Sequence, residues 1–414
     1  MVKIGDKQLN IGMGALIFYI AMMYVATDIY IPSKLCTVAI GILIIISFYI
    51  VIYQNRCLIV KNDYGYFFRY FLFAGFCIIT IFYSNHVEFM GDSIYLVYVT
   101  LAIVFCVSTV VLSYENIVQI FEAFAISSII QFVILGISGN LISVDESGEL
   151  NRLGSTFTNN PNTFATFQLV AFCMALWLFL YLRKPFFNKI IYLVAAVLDL
   201  IAIFLSGSRK AIVAAAVFFA ILFFLKKDDN GRKKYIRNII LIIFVLLISW
   251  NVLMSNQYLY EIAGERLEQL IEQLLGNSVA IVGSSSYLRS EYRKIAFEGW
   301  LKSPIWGHGF DSFHLYNSTI TGRDAYSHNN FTELLYNGGI IAFFLFYSFH
   351  IKILWSALKS FNNQIKSLII ASIVCFLIFD YGQVDYNSTV VIMFLCLLSK
   401  IMQYADIEEY ENIN

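Results

Sequence analysis

Residues 35–53 read LCTVAIGILIIISFYIVIY, an apolar stretch without Asp, Glu, Lys or Arg. A helix needs about 20 mainly apolar residues to cross the hydrocarbon core of a bilayer, so this stretch predicts a transmembrane helix. Similar stretches recur along the chain. The composition agrees, because 59% of the 414 residues are hydrophobic and 14% are charged, against about 25% charged residues in soluble domains. A water-soluble globular protein is therefore excluded.

The sequence predicts an all-α fold, a polytopic integral membrane helical bundle of about twelve spans. The predicted spans are 10–27, 35–53, 66–83, 93–112, 117–138, 162–182, 188–205, 210–225, 238–255, 334–355, 366–382 and 388–403. They divide the chain into three parts. These are residues 1–255 with nine spans and a loop at 139–161, one long loop at 256–333, and residues 334–414 with three spans and a tail.

Lysine and arginine predict the orientation of the bundle. Most of them fall in loops that face the cytoplasm if the N-terminus does, and six lie within residues 226–237 alone, as the positive-inside rule requires. Both termini are then cytoplasmic, and the loops 139–161 and 256–333 are extracytoplasmic. Long polar loops between helices usually carry function, so the active site is expected on that outer side. The 28 basic residues are matched by 28 acidic ones, which argues against a nucleic-acid partner.

The long loop contains two predicted helices. Residues 259–275 place apolar side chains at helical spacing opposite three glutamates, which favours an amphipathic helix packed on the bundle, with a membrane-surface helix as the alternative. Residues 287–302 predict a second helix, in which Arg289 and Arg293 lie four positions apart and share a face. Two guanidinium groups in that arrangement could hold one anion.

Polar residues concentrate in segments next to the predicted outer face. The sequence contains no phosphate-binding loop, no GxSxG and no HExxH, so ATP-driven and zinc-dependent chemistry have no support. The polar segments are RLGSTFTNNPN at 152–162, SGSRK at 206–210, SPIWGHG at 303–309, SHNNFTE at 327–333 and the Gly338–Gly339 pair.

These segments resemble the bacterial O-antigen polymerase and O-antigen ligase superfamily. The resemblance extends from about residue 150 to 345, and it rests on the order and spacing of a few residues rather than on one motif. They are Arg152, Gly154, Thr156, Phe157, Asn159, Pro161, Asn162, Ser206, Gly207, Ser208, Arg209, Arg293, Trp300, Pro304, Gly307, Gly309, His328, Asn329, Glu333 and Gly338.

The resemblance implies a GT-C-like helical bundle with one large extracytoplasmic loop, in the inner membrane of a bacterium. It also implies a metal-independent glycosyltransferase without a cofactor, which moves a glycan from a polyprenyl-pyrophosphate donor to a sugar hydroxyl. In an O-antigen or capsule polymerase, the acceptor is a second lipid-linked repeat unit. In a ligase, the acceptor is a lipopolysaccharide core. The implied partners are the lipid-linked donor and acceptor, membrane lipid and, as an open point, a chain-length regulator protein.

Chemistry suggests roles for the charged residues independently of the family. A histidine titrates near neutral pH and can take the proton of a sugar hydroxyl, and His328 is the candidate base. Arginine holds the oxygens of a departing pyrophosphate in a bidentate manner, without a metal. The candidates for donor binding are Arg152, Arg209 and Arg293, with Arg289 and Lys210 as auxiliaries.

Each of these residues has a structural alternative. His328 could be a loop residue beside a helix N-terminus made by Asn330 and Glu333, and His308 and His314 are rival bases. Arg209 could reach toward the membrane surface from a helix end, and Arg152 could form a surface salt bridge. Asn162 could bind sugar hydroxyls or cap a helix together with Asn159 and Asn160, and capping is slightly favoured. Glu333 could orient His328 or cap its own helix.

Two acidic residues lie within predicted spans, where ionisable groups are functional hypotheses by default. Glu122 lies in the inner part of the fifth span, and Asp199 lies in the outer half of the seventh. Asp199 could pair with Arg209, or each carboxyl group could be a hydrogen-bonded packing residue.

Of the functions considered, we favour a repeat-unit polymerase, with a ligase as the nearer alternative. A flippase or transporter is the more distant alternative, because the sequence shows no repeat between its halves.

Overall fold

The computed structural model describes residues 6–28, 30–53, 65–84, 91–141, 151–155, 160–225, 285–360 and 362–413, and single positions between 251 and 272. The longer described segments form helices joined by turns and short loops, and none of them contains a β-strand. The helices are α1 (Asp6–Val25), α2 (Lys34–Tyr53), α3 (Gly65–Ile79), α4 (Gly91–Val110), α5 (Tyr114–Ile137), α6 (Pro161–Tyr181), α7 (Phe186–Leu205), α8 (Arg209–Leu225), α9 (Ser285–Trp300), α10 (Phe313–Thr321), α11 (Asn330–Lys359), α12 (Asn363–Asp380) and α13 (Thr389–Ile413).

Eleven of the twelve predicted spans coincide with these helices, ten of them to within four residues at each end, whereas α13 continues ten residues beyond the predicted end at 403. The ninth, 238–255, lies almost entirely outside the described residues. Among the described helices, eight are long and apolar enough to cross a membrane, and α1 and α13 contain shorter apolar stretches. The chain is therefore a polytopic helical membrane protein, while the total of twelve spans stays a prediction.

Polar residues placed just before apolar runs determine where several helices begin. The side chains of Ser113, Asn160, Asn329 and Asn362 each accept a hydrogen bond from a backbone N–H in the first turn of α5, α6, α11 and α12, respectively. Such caps satisfy donors that have no partner within the helix. The capping alternative for the 159–162 stretch is thus confirmed, with Asn160 as the cap.

Helix packing brings distant parts of the chain to one end of the bundle. α8 packs against α6 and α12, α9 packs against α11, and α11 also contacts α3. The turn between α7 and α8 and the loop between α12 and α13 consequently lie near the start of α11. We call this region the site end of the bundle.

Two small apolar clusters at the site end supplement the main core. The first joins Leu153 to α5, α6 and α7 through Leu135, Phe164, Ala202 and Leu205. The second, which we call the cap cluster, joins α9, α10 and α11 through Tyr292, Ala296, Phe313 and Tyr336. Burial of such side chains is worth about 1.5–3 kcal/mol each, so both clusters hold otherwise irregular segments in place.

α11 is broken at Gly339, whose φ of 62° is not helical. An unbroken helix of 30 residues would be about 45 Å long, well beyond the ~30 Å hydrocarbon core. Residues 340–359 beyond the break suffice for a span, whereas the prediction placed this span at 334–355. A Cβ atom at Gly339 would collide with the carbonyl oxygen of Ile305, so glycine is required there.

The break is closed by residues 303–309, which we call the insert segment. In a continuous helix, the carbonyl groups of Tyr336 and Asn337 would accept from the N–H groups four residues later. They accept instead from His308 N–H at 2.9 Å and Gly309 N–H at 2.8 Å. The displaced N–H groups, of residues 340 and 341, donate to the carbonyl oxygens of residues 304 and 305 at 2.9 and 3.4 Å. The break therefore leaves no backbone group of this set without a partner.

The two helices predicted in the long loop have different outcomes. The prediction for 287–302 is confirmed by α9, which spans Ser285–Trp300. The prediction for 259–275 lies outside the described residues except for four single positions.

The two acidic residues within spans, Glu122 and Asp199, differ in their surroundings. Glu122 accepts a hydrogen bond from the Tyr192 hydroxyl and lies 3.5 Å from Lys184 Nζ, as expected of a packing residue. Asp199 is 1% exposed. Within the described part of the chain it forms no ion pair, so the suggested pairing with Arg209 is not found.

Candidate functional site

Arg152 is held at the site end by its neighbour and by its own side chain. Leu153 is buried, and its N–H donates to the Leu205 carbonyl at 2.9 Å. Arg152 Nε donates to the Ser206 carbonyl at 2.7 Å. Gly154 has a φ of 94°, and a Cβ atom there would collide with Phe164. This glycine allows the chain to turn against α6.

The turn between α7 and α8 is closed by hydroxyl groups. Ser206 Oγ donates to the Ile203 carbonyl at 2.6 Å and accepts from Ser208 N–H at 3.2 Å. Ser208 Oγ donates to Asn162 Oδ1 at 3.0 Å. Asn162 thus ties the first turn of α6 to this turn, and Arg209 and Lys210 follow at the start of α8.

Lys210 points from α8 toward the loop between α12 and α13. Its ammonium group donates to the Gly382 carbonyl at 2.8 Å and to Gln383 Oε1 at 2.5 Å, and it lies 4.8 Å from the centre of the Phe379 ring. Arg152 and Arg289 are close enough to act on it electrostatically. Lys210 therefore joins the arginines in one group of positive charges.

Buried acidic residues lie behind this positive group. Asp380 accepts from the Tyr347 hydroxyl at 2.8 Å, and Asp385 Oδ1 accepts from Gln383 Nε2 at 3.0 Å. Both carboxyl groups interact electrostatically with Lys210. Burial raises the pKa of Asp385 to about 6, although the Lys210 ammonium opposes the shift. The acidic residues partly balance the cations without covering them.

Arg289 and Arg293 approach from α9. Arg293 places its guanidinium carbon 5.0 Å from the centre of the Tyr381 ring, and this stacking limits its orientation. Both arginines are half-buried and both act electrostatically on His328. The shared face predicted for them therefore borders the group that contains Lys210.

His328 has an unusual backbone conformation that its neighbours fix. Its φ is 53°, in the left-handed region that non-glycine residues seldom adopt. Asn329 caps α11 through Thr332 N–H at 2.9 Å and donates from Nδ2 to the Tyr381 carbonyl at 3.1 Å. The imidazole ring lies over Tyr292, with the ring centres 6.4 Å apart. The side chain makes no hydrogen bond to any residue that the structure describes.

The charges around His328 determine its protonation state. Burial and the positive charges of Arg289, Lys210 and Arg293 together lower its pKa to about 4, and burial has the largest effect. The imidazole is thus neutral at neutral pH and can accept a proton. An anion bound among these cations would oppose their effect and raise the pKa of His328.

Glu333 stabilises the turn before α11 and not the imidazole of His328. Its Oε2 accepts from Ser327 N–H at 2.8 Å, and its Oε1 accepts from Asn337 Nδ2 at 3.2 Å. Of the two alternatives from the sequence, the structure therefore favours a capping role over direct orientation of His328. The cap residue is Asn329, one position before the Asn330 expected from the sequence.

A comparison with protein families finds a match in the second half of the chain. The family described as O-antigen ligase matches residues 194–347. We call residues 194–347, which are similar to that family, the O-antigen ligase segment. No curated protein matches the sequence. The match indicates a membrane enzyme of the glycosyltransferase kind, with O-antigen ligase-type or polymerase-type activity.

The O-antigen ligase segment contains most of the predicted site residues. Arg209, Arg289, Arg293, His328 and Glu333 lie within it, and Arg152 and Asn162 lie before it. The structure brings His328 together with Arg289, Arg293 and Lys210, and it brings Lys210 together with Arg152. Arg209 starts α8 and is half-buried.

The rival histidines of the O-antigen ligase segment have structural contacts. His308 bonds through Nε2 to the Gly299 carbonyl at 2.9 Å, and its ring stacks on Tyr336 with centres 4.6 Å apart. His314 pairs with Asp324 at 2.6 Å. His328 differs in that its side chain has no such hydrogen bond within the described part of the chain and lies among the cations Arg289, Lys210 and Arg293.

Sequence reasoning missed the loop between α12 and α13. Its residues Gln383 and Asp385 contact the site through Lys210, and they lie beyond the O-antigen ligase segment. The available signal was the stretch DYGQVD at 380–385, which places two acids in a short connection between two apolar spans. Ionisable residues next to or within spans are expensive and frequently functional.

Proposed function

We propose that this protein is a polysaccharide repeat-unit polymerase that uses a polyprenyl-pyrophosphate-linked donor. The observation that carries the proposal is the neutral imidazole of His328 beside the cations Arg289, Lys210 and Arg293. A neutral base and a metal-free phosphate site are the two requirements of the reaction.

In the proposed reaction, the acceptor hydroxyl oxygen bonds to the anomeric carbon of the donor glycan. The bond from that carbon to the pyrophosphate oxygen breaks, and its electron pair leaves with the lipid pyrophosphate. The hydroxyl proton moves to His328. The arginines and Lys210 stabilise the negative charge that the leaving group gains. Because the donor pyrophosphate raises the basicity of His328, binding of the donor prepares the base for the acceptor.

The second candidate is an O-antigen ligase, and the family description of residues 194–347 favours it. The chemistry at His328 is the same for both candidates. Only the acceptor differs, since a ligase ends the glycan on a lipopolysaccharide core. We place the site on the extracytoplasmic side of a bacterial inner membrane for either candidate, because the positive-inside rule orients the site end outward.

Reconstitution of the purified full chain tests the proposal. The chain is supplied with the lipid-linked repeat units of its own gene locus, and the products are separated on a gel. A ladder of increasing length is expected. His328→Asn should abolish it, because asparagine tolerates the left-handed backbone but cannot serve as the base. The exposed Asn363 of α12 provides a control, since Asn363→Ala should leave the ladder unchanged.

The alternatives give different results in the same assay. Transfer that requires an added lipopolysaccharide core, without a ladder, would identify a ligase. A normal ladder from a correctly inserted His328→Asn variant would rule out the base assignment. No transfer to either acceptor would contradict the proposed function itself.

A further inference from the structure

The segment that precedes α11 carries side chains of alternating exposure. Asp324 and Tyr326 are exposed and His328 is half-buried, whereas Ser327 and Asn329 are buried. The side chains of residues 324, 326 and 328 are thus at least partly accessible, while those of residues 327 and 329 are covered. We call residues 323–329 the ledge.

The backbone of the ledge is fixed from its buried side. Asn317 Nδ2 donates to the carbonyl groups of Arg323 at 3.1 Å and Ala325 at 3.0 Å. Ser327 N–H donates to Glu333. Because the backbone of the ledge is fixed near both of its ends, the segment is ordered before any ligand binds. This reduces the conformational entropy that the segment loses on binding.

Tyr326 presents part of an aromatic face beside His328. Its side chain is 41% exposed, its hydroxyl bonds to the Asp311 carboxylate, and its ring centre lies 5.3 Å from that of His314. His314 is in turn paired with Asp324, whose side chain is 71% exposed. The ring is held at its buried edge, and the carboxylate next to it is accessible.

The charges around His328 and around Tyr326, both in the ledge, have opposite signs. His328 is surrounded by Arg289, Lys210 and Arg293. Tyr326 is surrounded by acids, since burial and the carboxylates of Asp311, Glu333 and Asp324 raise its pKa. A pyrophosphate is attracted by the cations around His328 and repelled by the carboxylates around Tyr326. The acidic surroundings of Tyr326 suit an uncharged molecule that is rich in hydroxyl groups.

We infer that Asp324 and Tyr326 form the binding subsite for the acceptor sugar, the one whose hydroxyl faces His328. This inference rests on the proposed function and assigns its acceptor half. A sugar ring has an apolar C–H face that can cover the Tyr326 ring, and its hydroxyl groups can donate to the Asp324 carboxylate. Tyr326 lies two residues from His328, so a sugar stacked there has its hydroxyl groups near the imidazole.

An acceptor that cannot act as a donor tests the inference. An alkyl glycoside of the repeat unit has a free non-reducing end but no pyrophosphate. Initial rates of transfer are measured with the full reconstituted chain, once with varied glycoside and once with varied donor. The variants are Tyr326→Leu, Tyr326→Phe and Asp324→Asn. Ile320→Ala, at an exposed position of the neighbouring α10, serves as the control.

Tyr326→Leu should raise the KM for the glycoside by between about threefold and tenfold, the range expected for loss of an aromatic contact. Asp324→Asn should raise it as well, and Tyr326→Phe, which keeps the ring, should raise it less than Tyr326→Leu. The KM for the donor should stay constant in all three variants, which also shows that they are folded. Ile320→Ala should match the wild type.

Two results would overturn the inference. An unchanged glycoside KM in Tyr326→Leu would show that the ring does not bind the acceptor, and a parallel rise in donor KM would place the ring in the donor site. Failure of the proposed function is a separate outcome, because the wild type would then transfer no glycan to the glycoside at all.

Discussion

His328 combines a backbone conformation and an electrostatic setting that its residue type alone does not reveal. The sequence suggested the residue because histidine titrates near neutral pH, and that argument applied equally to His308 and His314. The left-handed φ and the cations of α8 and α9 depend on tertiary packing. The sequence therefore predicted a histidine as the base, whereas the fold was needed to distinguish His328 from His308 and His314.

The pH dependence of transfer should report on the neighbours of His328. The base must be neutral, and the pKa of His328 in the free protein is about 4, so the acid limb of kcat/KM should lie in strongly acidic solution. Bound pyrophosphate offsets the cations and raises this pKa, so the acid limb of kcat should lie at higher pH than that of kcat/KM. Initial rates across the acidic range measure both limbs, and limbs at the same pH would contradict the proposed coupling.

Arg293 should not be replaceable by lysine. Lysine keeps the charge but loses the planar group that stacks on Tyr381 and binds two phosphate oxygens. Arg293→Lys should therefore lower kcat/KM for the donor by about tenfold or more, a loss of ~1.4 kcal/mol in transition-state binding. Arg183→Lys, at an exposed position between α6 and α7, is the matched control and should have no effect. Equal activity of the Arg293→Lys variant would mean that Arg293 acts only as a point charge.

Among the helices, α11 shows what periodicity predicts and what it overlooks. Its apolar run indicated a span, and the structure has a helix there that is long and apolar enough to cross a membrane. The Gly338–Gly339 pair was visible in the sequence, but its meaning depends on the insert segment, whose N–H groups take over the helix carbonyls. A pattern within one helix does not contain that information, because the partner lies about 30 residues earlier in the chain.

Gly339→Ala should destabilise the junction between α11 and the insert segment. The backbone of Gly339, with φ 62° and ψ −163°, lies in a region that is essentially restricted to glycine and costs other residues about 1–3 kcal/mol, and the new Cβ atom would meet the Ile305 carbonyl. The unfolding temperature in detergent should fall by several degrees relative to the wild type. Gly75→Ala is the control, because Gly75 lies within α3 and a Cβ atom there meets open space. An equal shift in both variants would argue against a special role for the break.

At the scale of the whole molecule, the loop between α12 and α13 links the two halves of the bundle. Lys210 from α8 holds Gly382 and Gln383, and Asn329 from the start of α11 holds Tyr381. Twelve spans were predicted from hydropathy, because hydropathy is a local property of the chain. These ties were not, because they join residues as much as 173 positions apart, and a single sequence carries no signal for such pairs.

Asn330 should be the most sensitive position of this link. Its Oδ1 accepts from the N–H groups of Asp385 at 2.9 Å and Tyr386 at 3.1 Å, and its Nδ2 donates to the Tyr347 hydroxyl. Each buried group that loses its partner costs about 1–3 kcal/mol, so Asn330→Ala should lower the unfolding temperature markedly. The exposed Asn363 gives the comparison. A thermal shift no larger than that of Asn363→Ala would contradict this role.

The ties to residues 381–386 also bear on how the protein is made. A ribosome delivers the arginines of α9 and the imidazole of His328 well before it delivers Gln383 and Tyr381, and regions near the N-terminus generally fold first. A nascent chain that ends before residue 380 has its histidine and arginines but lacks the backbone carbonyl groups that Lys210 and Asn329 require. Lys210 and Asn329 therefore have these contacts only when the loop that follows α12 has been made, so a partly synthesised chain does not yet have a complete candidate site.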